Sequence, residues 1–383
     1  MRSIDLRTDE AVEIVGALDV DVTATGLAPR RLPAWTRPQI PDVLMDAMVA
    51  MTSGVRLRFR TDSERIELDA KLTTFRYAHQ PHRPVVCQLV VDGGEPIDAP
   101  TEDADFFVFD PARPDDIGFV PGGMATLAFD DLGGGDKQCE LWLPHAASVE
   151  LRGLRIDDGA TLAEPRDTGR RRWLHYGSSI SHCIEADVPT GTWPAVAARA
   201  GGVDLHSLGL AGQCLLDPFV ARTMRNVPAD VISLKVGINI VNGDTMRERT
   251  FGPAVHGFLD TIREGHPDAP LLVVSPIICP MVEDRPGPTI PAEGGAFIVV
   301  DRPAALAAGA LTLTRIRELL VGIVGTRRSL GDANLSYLDG RSLFGAADLA
   351  DLPDGLHPNA AGYRRMGQRF ADAAFAPGGP LAG

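Results

Sequence analysis

The sequence has no C-x-x-C pair, no Lys/Arg run long enough to form a basic face, and no apolar stretch approaching the length of a membrane span. Each absence removes a class of function. The five cysteines, Cys87, Cys139, Cys183, Cys214 and Cys279, are odd in number and widely spaced, which argues against a zinc site and against a disulfide framework. Cys183 and Cys214 are candidates for oxidisable neighbours, but buried free thiols are the plainer expectation. Acidic residues outnumber basic ones by 51 to 37, for a net charge of −14, so no nucleic acid is expected as a partner: phosphate binding needs a cationic surface. Charges scattered through the first twenty residues interrupt the apolar core a secretory signal requires. A cytoplasmic protein with no membrane partner is expected.

At 383 residues, with 44% hydrophobic and 23% charged, the chain is long enough for two globular domains. It contains no internal repeat. Up to about residue 160, short segments alternate apolar and polar side chains: 55–60, 65–72, 85–91, 125–130, 139–144 and 148–156. Turn-formers such as Asp92-Gly93-Gly94 separate them. The pattern predicts an antiparallel all-β sandwich over 1–160, with the arginines at 56, 58 and 60 on one solvated strand face. A polar stretch, 161–172, reads as a linker. From 173 to 383 the period changes. Strand-like runs alternate with helical stripes, among them Pro218 at a first helical position behind Asp217 as cap, and predict an α/β domain with a mostly parallel five-stranded sheet.

In such sheets ligands bind beyond the carboxyl ends of the strands. The residues there carry chemistry: Gly177-Ser178-Ser179, then Gly209 to Gln213, then Gly237-Ile238-Asn239, and finally Asp354-Gly355-Leu356-His357. A serine is a poor nucleophile until a base takes its proton, and a histidine backed by a carboxylate supplies that base. Backbone amides and an asparagine side chain can hold the resulting oxyanion. A Gly-x-Ser-x-Gly elbow is not present, because Ser181 occupies the final glycine position.

Together these blocks resemble the SGNH, or GDSL-type, hydrolase superfamily over roughly 172–376, with YGSSIS and DGLHPN as the most specific phrases. Ser178 replaces the family's aspartate before the nucleophile. The resemblance implies a flavodoxin-like three-layer domain, Ser179 as nucleophile, His357 as base oriented by Asp354, and an oxyanion hole of the Ser179 and Gly212 amides with the Asn239 side chain. The front segment resembles the jelly-roll-like domain of one branch that includes carbohydrate acetylesterases. Such enzymes need no cofactor or metal.

Plainer readings stand beside these. Asp354 also suits a simple turn former, and Asn239 a left-handed turn, with Asn242 its competitor for any polar role. His175 and His182 lack a carboxylate at ligand spacing, so structural or substrate-facing positions are expected rather than zinc. Ser178, His182, Gln213, Asn242 and Glu283 are the candidates for substrate contact. Glu283 and Asp284 lie in the long irregular stretch 279–303, which reads as a pocket wall or an oligomer contact. The expected activity is hydrolysis of an O-acetyl or other short acyl ester of a carbohydrate or small metabolite. Acyl transfer by the same serine is the alternative, and a non-catalytic carbohydrate-binding protein, or a homo-oligomer, remains open.

Overall fold

The protein is described as a computed structural model covering residues 1–78, 83–109, 117–292 and 295–383. It divides into two compact units: Met1–Gly169 with Asp187–Thr190, and Arg170–Ala186 with Gly191–Gly383.

The first unit is built from two sheets. One runs in the order Gly118–Val120, Asp105–Phe109, Ile66–Tyr77, Ala147–Ile156, Leu27–Arg30, Asp19–Val22; the other runs Leu162–Ala163, Arg56–Thr61, Lys137–Trp142, Val85–Val91, Ile97–Thr101. Their apolar side chains, including Leu57, Phe59, Leu68, Leu127, Leu141 and Leu151, form one buried core. Burial of each such side chain contributes about 1.5–3 kcal/mol.

Several features of this unit depart from the sequence pattern. Ile66–Tyr77 and Asp105–Phe109 pair in parallel, whereas Ile66–Tyr77 pairs with its other neighbours, Ala147–Ile156 and Ala125–Phe129, antiparallel. Leu162 and Ala163 pair with Thr61 and Arg60, so the start of the expected linker extends a sheet. A helix, Val43–Ala50, follows Asp42, whose carboxylate accepts the Met45 amide at 2.8 Å. Its apolar residues carry no clear helical stripe, so periodicity did not mark it. The arginines at 56 and 58 are not solvated: both are buried, Arg58 Nε lies 3.3 Å from Glu140, and the Arg56 guanidinium sits over the Trp142 ring. Alternation reports which residues share a face, not whether water reaches it.

The second unit holds five parallel strands: β1 (Arg172–Gly177), β2 (Asp204–Gly209), β3 (Val231–Lys235), β4 (Leu271–Val274) and β5 (Leu335–Leu338), in the order β2-β1-β3-β4-β5. Helices cover both faces. On β1, Trp173 packs on Trp193 of α2 (Trp193–Gly201; α1 is the single turn Ser179–His182) and on Phe370 of the last helix. Tyr176 points the other way and stacks on Phe258, in the helix Glu248–Gly265. Between them in the chain lie α3 (Pro218–Asn226) and α4 (Ile238–Gly243); Glu248–Gly265 is α5, Leu313–Ser329 is α6 and Ala360–Phe370 is α7. Pro218 does open α3, but the Asp217 carboxylate makes no capping bond. Among the described residues no helix is long and apolar enough to cross a membrane.

Gly177, Gly209 and Lys235 stand side by side, so β1, β2 and β3 end level. The chain leaves β1 toward β2 on one side and later returns to β3 on the other. That reversal opens the crevice just past Gly177.

Candidate active site

The turn past Gly177 is shaped by close packing. Ser178 caps α1, its hydroxyl accepting the Ile180 amide, and Ser179 takes the first helical position. The turn lies so near β2 that a Cβ on Gly209 would fall 2.5 Å from the His182 nitrogen and 2.6 Å from the Ser181 carbonyl oxygen. Only glycine allows that approach.

Beneath the turn lies a buried polar chain. The Trp173 indole donates to Ser233 Oγ at 2.8 Å, His175 Nδ1 is 2.7 Å from the same oxygen, and His175 Nε2 is 2.8 Å from Ser181 Oγ. Burial, reinforced by the nearby Lys235 charge, pulls the His175 imidazole down to about 3, so it is neutral at working pH. His175 is structural.

Ser179 meets the last sequence block. Its Oγ lies 2.9 Å from His357 Nε2, and His357 Nδ1 lies 2.7 Å from Asp354 Oδ2. A carboxylate only accepts, so Nδ1 carries the hydrogen and Nε2 is left to accept from the serine hydroxyl. The other Asp354 oxygen takes the Leu356 and His357 amides at 2.8 and 2.7 Å. Burial pushes this carboxyl up, but those bonds and His357 outweigh it and hold it below the usual range. Burial likewise opposes charge on His357, yet the Glu185 and Asp354 carboxylates prevail and raise it above its ordinary value of 6.5.

Gly212 adopts a φ of 73°, in the loop after β2, and Leu210 of that loop donates to the Gly177 carbonyl. Asn239, buried at the start of α4, accepts the Cys214 amide at 3.1 Å and so ties the third block to the second. Gln213 is also buried. Asn242 is half-buried, and its Oδ1 has no hydrogen-bond partner among the described residues.

Three candidates for substrate contact are placed otherwise. Ser178 is wholly buried, and its hydroxyl is engaged in the α1 cap. His182 is wholly buried and offers no surface to a ligand. Glu283 accepts the Cys279 amide at 2.8 Å and two guanidinium bonds from Arg317 at 2.6 and 3.0 Å, so its carboxylate braces its own loop. Asp284 accepts the Thr314 hydroxyl. The stretch 279–303 is less irregular than its composition implies: Thr289–Pro291 and Phe297–Val299 form a hairpin whose Phe297 ring meets His357 edge-on, centroids 5.7 Å apart. All five cysteines are buried free thiols. Sequence reasoning passed over Glu185 and Phe297, both beside His357, because neither belongs to a motif and chain distance gives no warning of the approach.

A family model described as "GDSL-like Lipase/Acylhydrolase family" matches residues 175–365, from just before Ser179 to beyond His357. A solved structure of the salicylyl-acyltransferase SsfX3, from a tetracycline biosynthetic pathway, is 31% identical, with 96% of this chain and 95% of that one covered at a TM-score of 0.79. The chain belongs to the GDSL-like lipase/acylhydrolase family. It is a serine enzyme of the esterase and acyltransferase class. A putative GDSL-like lipase from Bacteroides ovatus, 18% identical, shares the fold over 94% of both chains (TM-score 0.66). So does a family two carbohydrate esterase from Clostridium thermocellum, 13% identical over 94% of this chain and 96% of that one (TM-score 0.58). Both carry a counterpart of the β-rich first unit within that coverage. No curated protein sequence matches the chain.

Proposed function

We propose that the protein hydrolyses an O-acetyl or other short acyl ester of a carbohydrate or small metabolite through a covalent acyl-enzyme on Ser179. The observation carrying this reading is the unbroken hydrogen-bonded line from Ser179 through His357 to Asp354. Ser179 Oγ attacks the ester carbonyl carbon while His357 Nε2 takes its proton. The Ser179 amide, the Gly212 amide and the Asn239 side chain hold the oxyanion. Ser179 is at the first position of α1, where helical bonding leaves the amide without an acceptor in the helix. Collapse breaks the bond to the alcohol, which leaves with the proton from His357. Water then repeats the attack with His357 as base, and the acid departs.

Gln213 and Asn242 remain the candidates for contacts with the alcohol half, and the Phe297 hairpin for a wall. The carbohydrate alcohol is assigned by analogy of fold to the carbohydrate esterases. A second reading, transfer of the acyl group to an alcohol or amine instead of water, is favoured by the 31% identity to an acyltransferase over nearly the whole chain.

The test treats wild type and Ser179→Ala with a fluorophosphonate, locates the label by peptide mass spectrometry and follows 4-nitrophenyl acetate with and without competing alcohols. Label on Ser179 and a loss in kcat on the order of 10⁴ in the variant support the reading. Ester products that displace free acid would select transfer. No label and equal turnover would remove the catalytic reading.

A further inference from the structure

Past α1 the chain reverses at Cys183, whose φ is 62°, and presents Glu185 in the following turn. The two carboxylate oxygens have different neighbours. Oε2 accepts the phenol of Tyr363 at 2.8 Å, and Tyr363 is fully buried on α7, so the carboxylate is tethered. Oε1 lies 3.6 Å from His357 Nδ1. That nitrogen carries one hydrogen, which Asp354 takes at 2.7 Å. Glu185 therefore adds charge at the ring without forming the bond.

We infer that Glu185 is a positioning residue for the acyl-transfer chemistry: its carboxylate stabilises the imidazolium formed on His357 and serves as the orienting acceptor when the Asp354 carboxylate is removed. This rests on the reading of Ser179 and His357 given above. The groups that face the ring come from separate elements. Asp354 comes from its own loop, Ser179 from α1, Glu185 from the turn after α1, Tyr363 from α7, and the uncharged Phe297 from the hairpin. Burial pushes the Tyr363 phenol well up and the neighbouring Cys183 and Cys279 thiols with it, Cys279 to about 12, so none of them is charged near neutrality. Among the described residues, the charges acting on the ring are the Glu185 and Asp354 carboxylates.

The experiment measures the rate of fluorophosphonate labelling at Ser179 against pH for wild type, Glu185→Gln, Glu185→Asp, Tyr363→Phe, Asp354→Ala and the double variant Asp354→Ala/Glu185→Gln. In Glu185→Gln the midpoint should fall by about 0.5–1 pH unit. Glu185→Asp and Tyr363→Phe keep the charge and should fall less. In the Asp354→Ala background the Gln substitution should cost about tenfold more than it does in wild type, because the substitute acceptor is gone. An unmoved midpoint in Glu185→Gln together with additive losses in the double variant overturns the role of Glu185 while leaving Ser179 labelled. A wild type that takes no label at Ser179 overturns the parent reading and this one with it.

Discussion

The backbone amide of Cys214 donates to Asn239 Oδ1 across 3.1 Å, which fixes the orientation of the asparagine amide. The oxygen is engaged by protein, so the two N–H donors are what this side chain has to offer a ligand. Asn239→Asp keeps the shape and the Cys214 bond but replaces the donors with negative charge. Steady-state kinetics should show kcat reduced roughly 10² to 10³-fold in Asn239→Ala, and at least as far in Asn239→Asp. Near-normal turnover in the aspartate variant would reduce Asn239 to a structural brace.

As the proposed base His357 must be neutral to accept the serine proton, and its two carboxylate neighbours outweigh burial to raise it above 6.5. The acid limb of kcat/KM should therefore have its midpoint above 6.5. The same shift affects folding with the opposite reach: its stabilising contribution is complete below the unfolded value and disappears as pH rises through the folded one. A kcat/KM profile from pH 5 to 9 reads the first effect, and a midpoint below that of free histidine would contradict it.

His175 behaves in reverse, because it is buried without a carboxylate and stays neutral down to about 3. Between that value and 6.5 the unfolded chain binds a proton that the folded chain refuses, so stability falls as pH drops through this window. Urea unfolding at a series of pH values should give a slope in wild type that exceeds that of His175→Gln by about one proton. The variant should also be less stable at neutral pH, since it loses the edge contact with Trp193, centroids 4.8 Å apart. Equal slopes would mean that His175 is protonated in place.

A Cβ on Gly209 would meet backbone atoms of the Ser179 turn at 2.5 and 2.6 Å, not the free end of a flexible side chain. In Gly209→Ala either β2 or the turn must shift, and the Ser179–His357 bond depends on where the turn sits. A loss of kcat larger than 10²-fold is expected, accompanied by a lower melting temperature. Unchanged kinetics would show that the turn can move without consequence.

Much of the architecture was legible from local pattern. The run Val231–Lys235 is buried along its whole length because a central parallel strand is covered on both faces, and the alternation around Lys137–Trp142 reflects one face on a core. What escaped was set by surroundings. Arg56 and Arg58 alternate as a solvated face would, yet both are buried beside Glu140. Glu283 looked like a polar group in a loose loop until Arg317, on α6, proved to hold it. His182 sits one turn from Ser179 but on the inward side of a four-residue helix.

The order of the blocks, their residue types and the strands that deliver the first three are properties of the chain, because turn chemistry and hydrophobic period act over a few residues. The meeting of Ser179 with His357, 178 residues away, is a property of the folded sheet, as is the approach of Glu185 to the same ring. A hydrogen bond requires two atoms to come within about 3 Å in the right direction. Periodicity reports the face on which a side chain lies, and only the level ends of β1, β2 and β3, with the packing above them, convert a shared face into a distance.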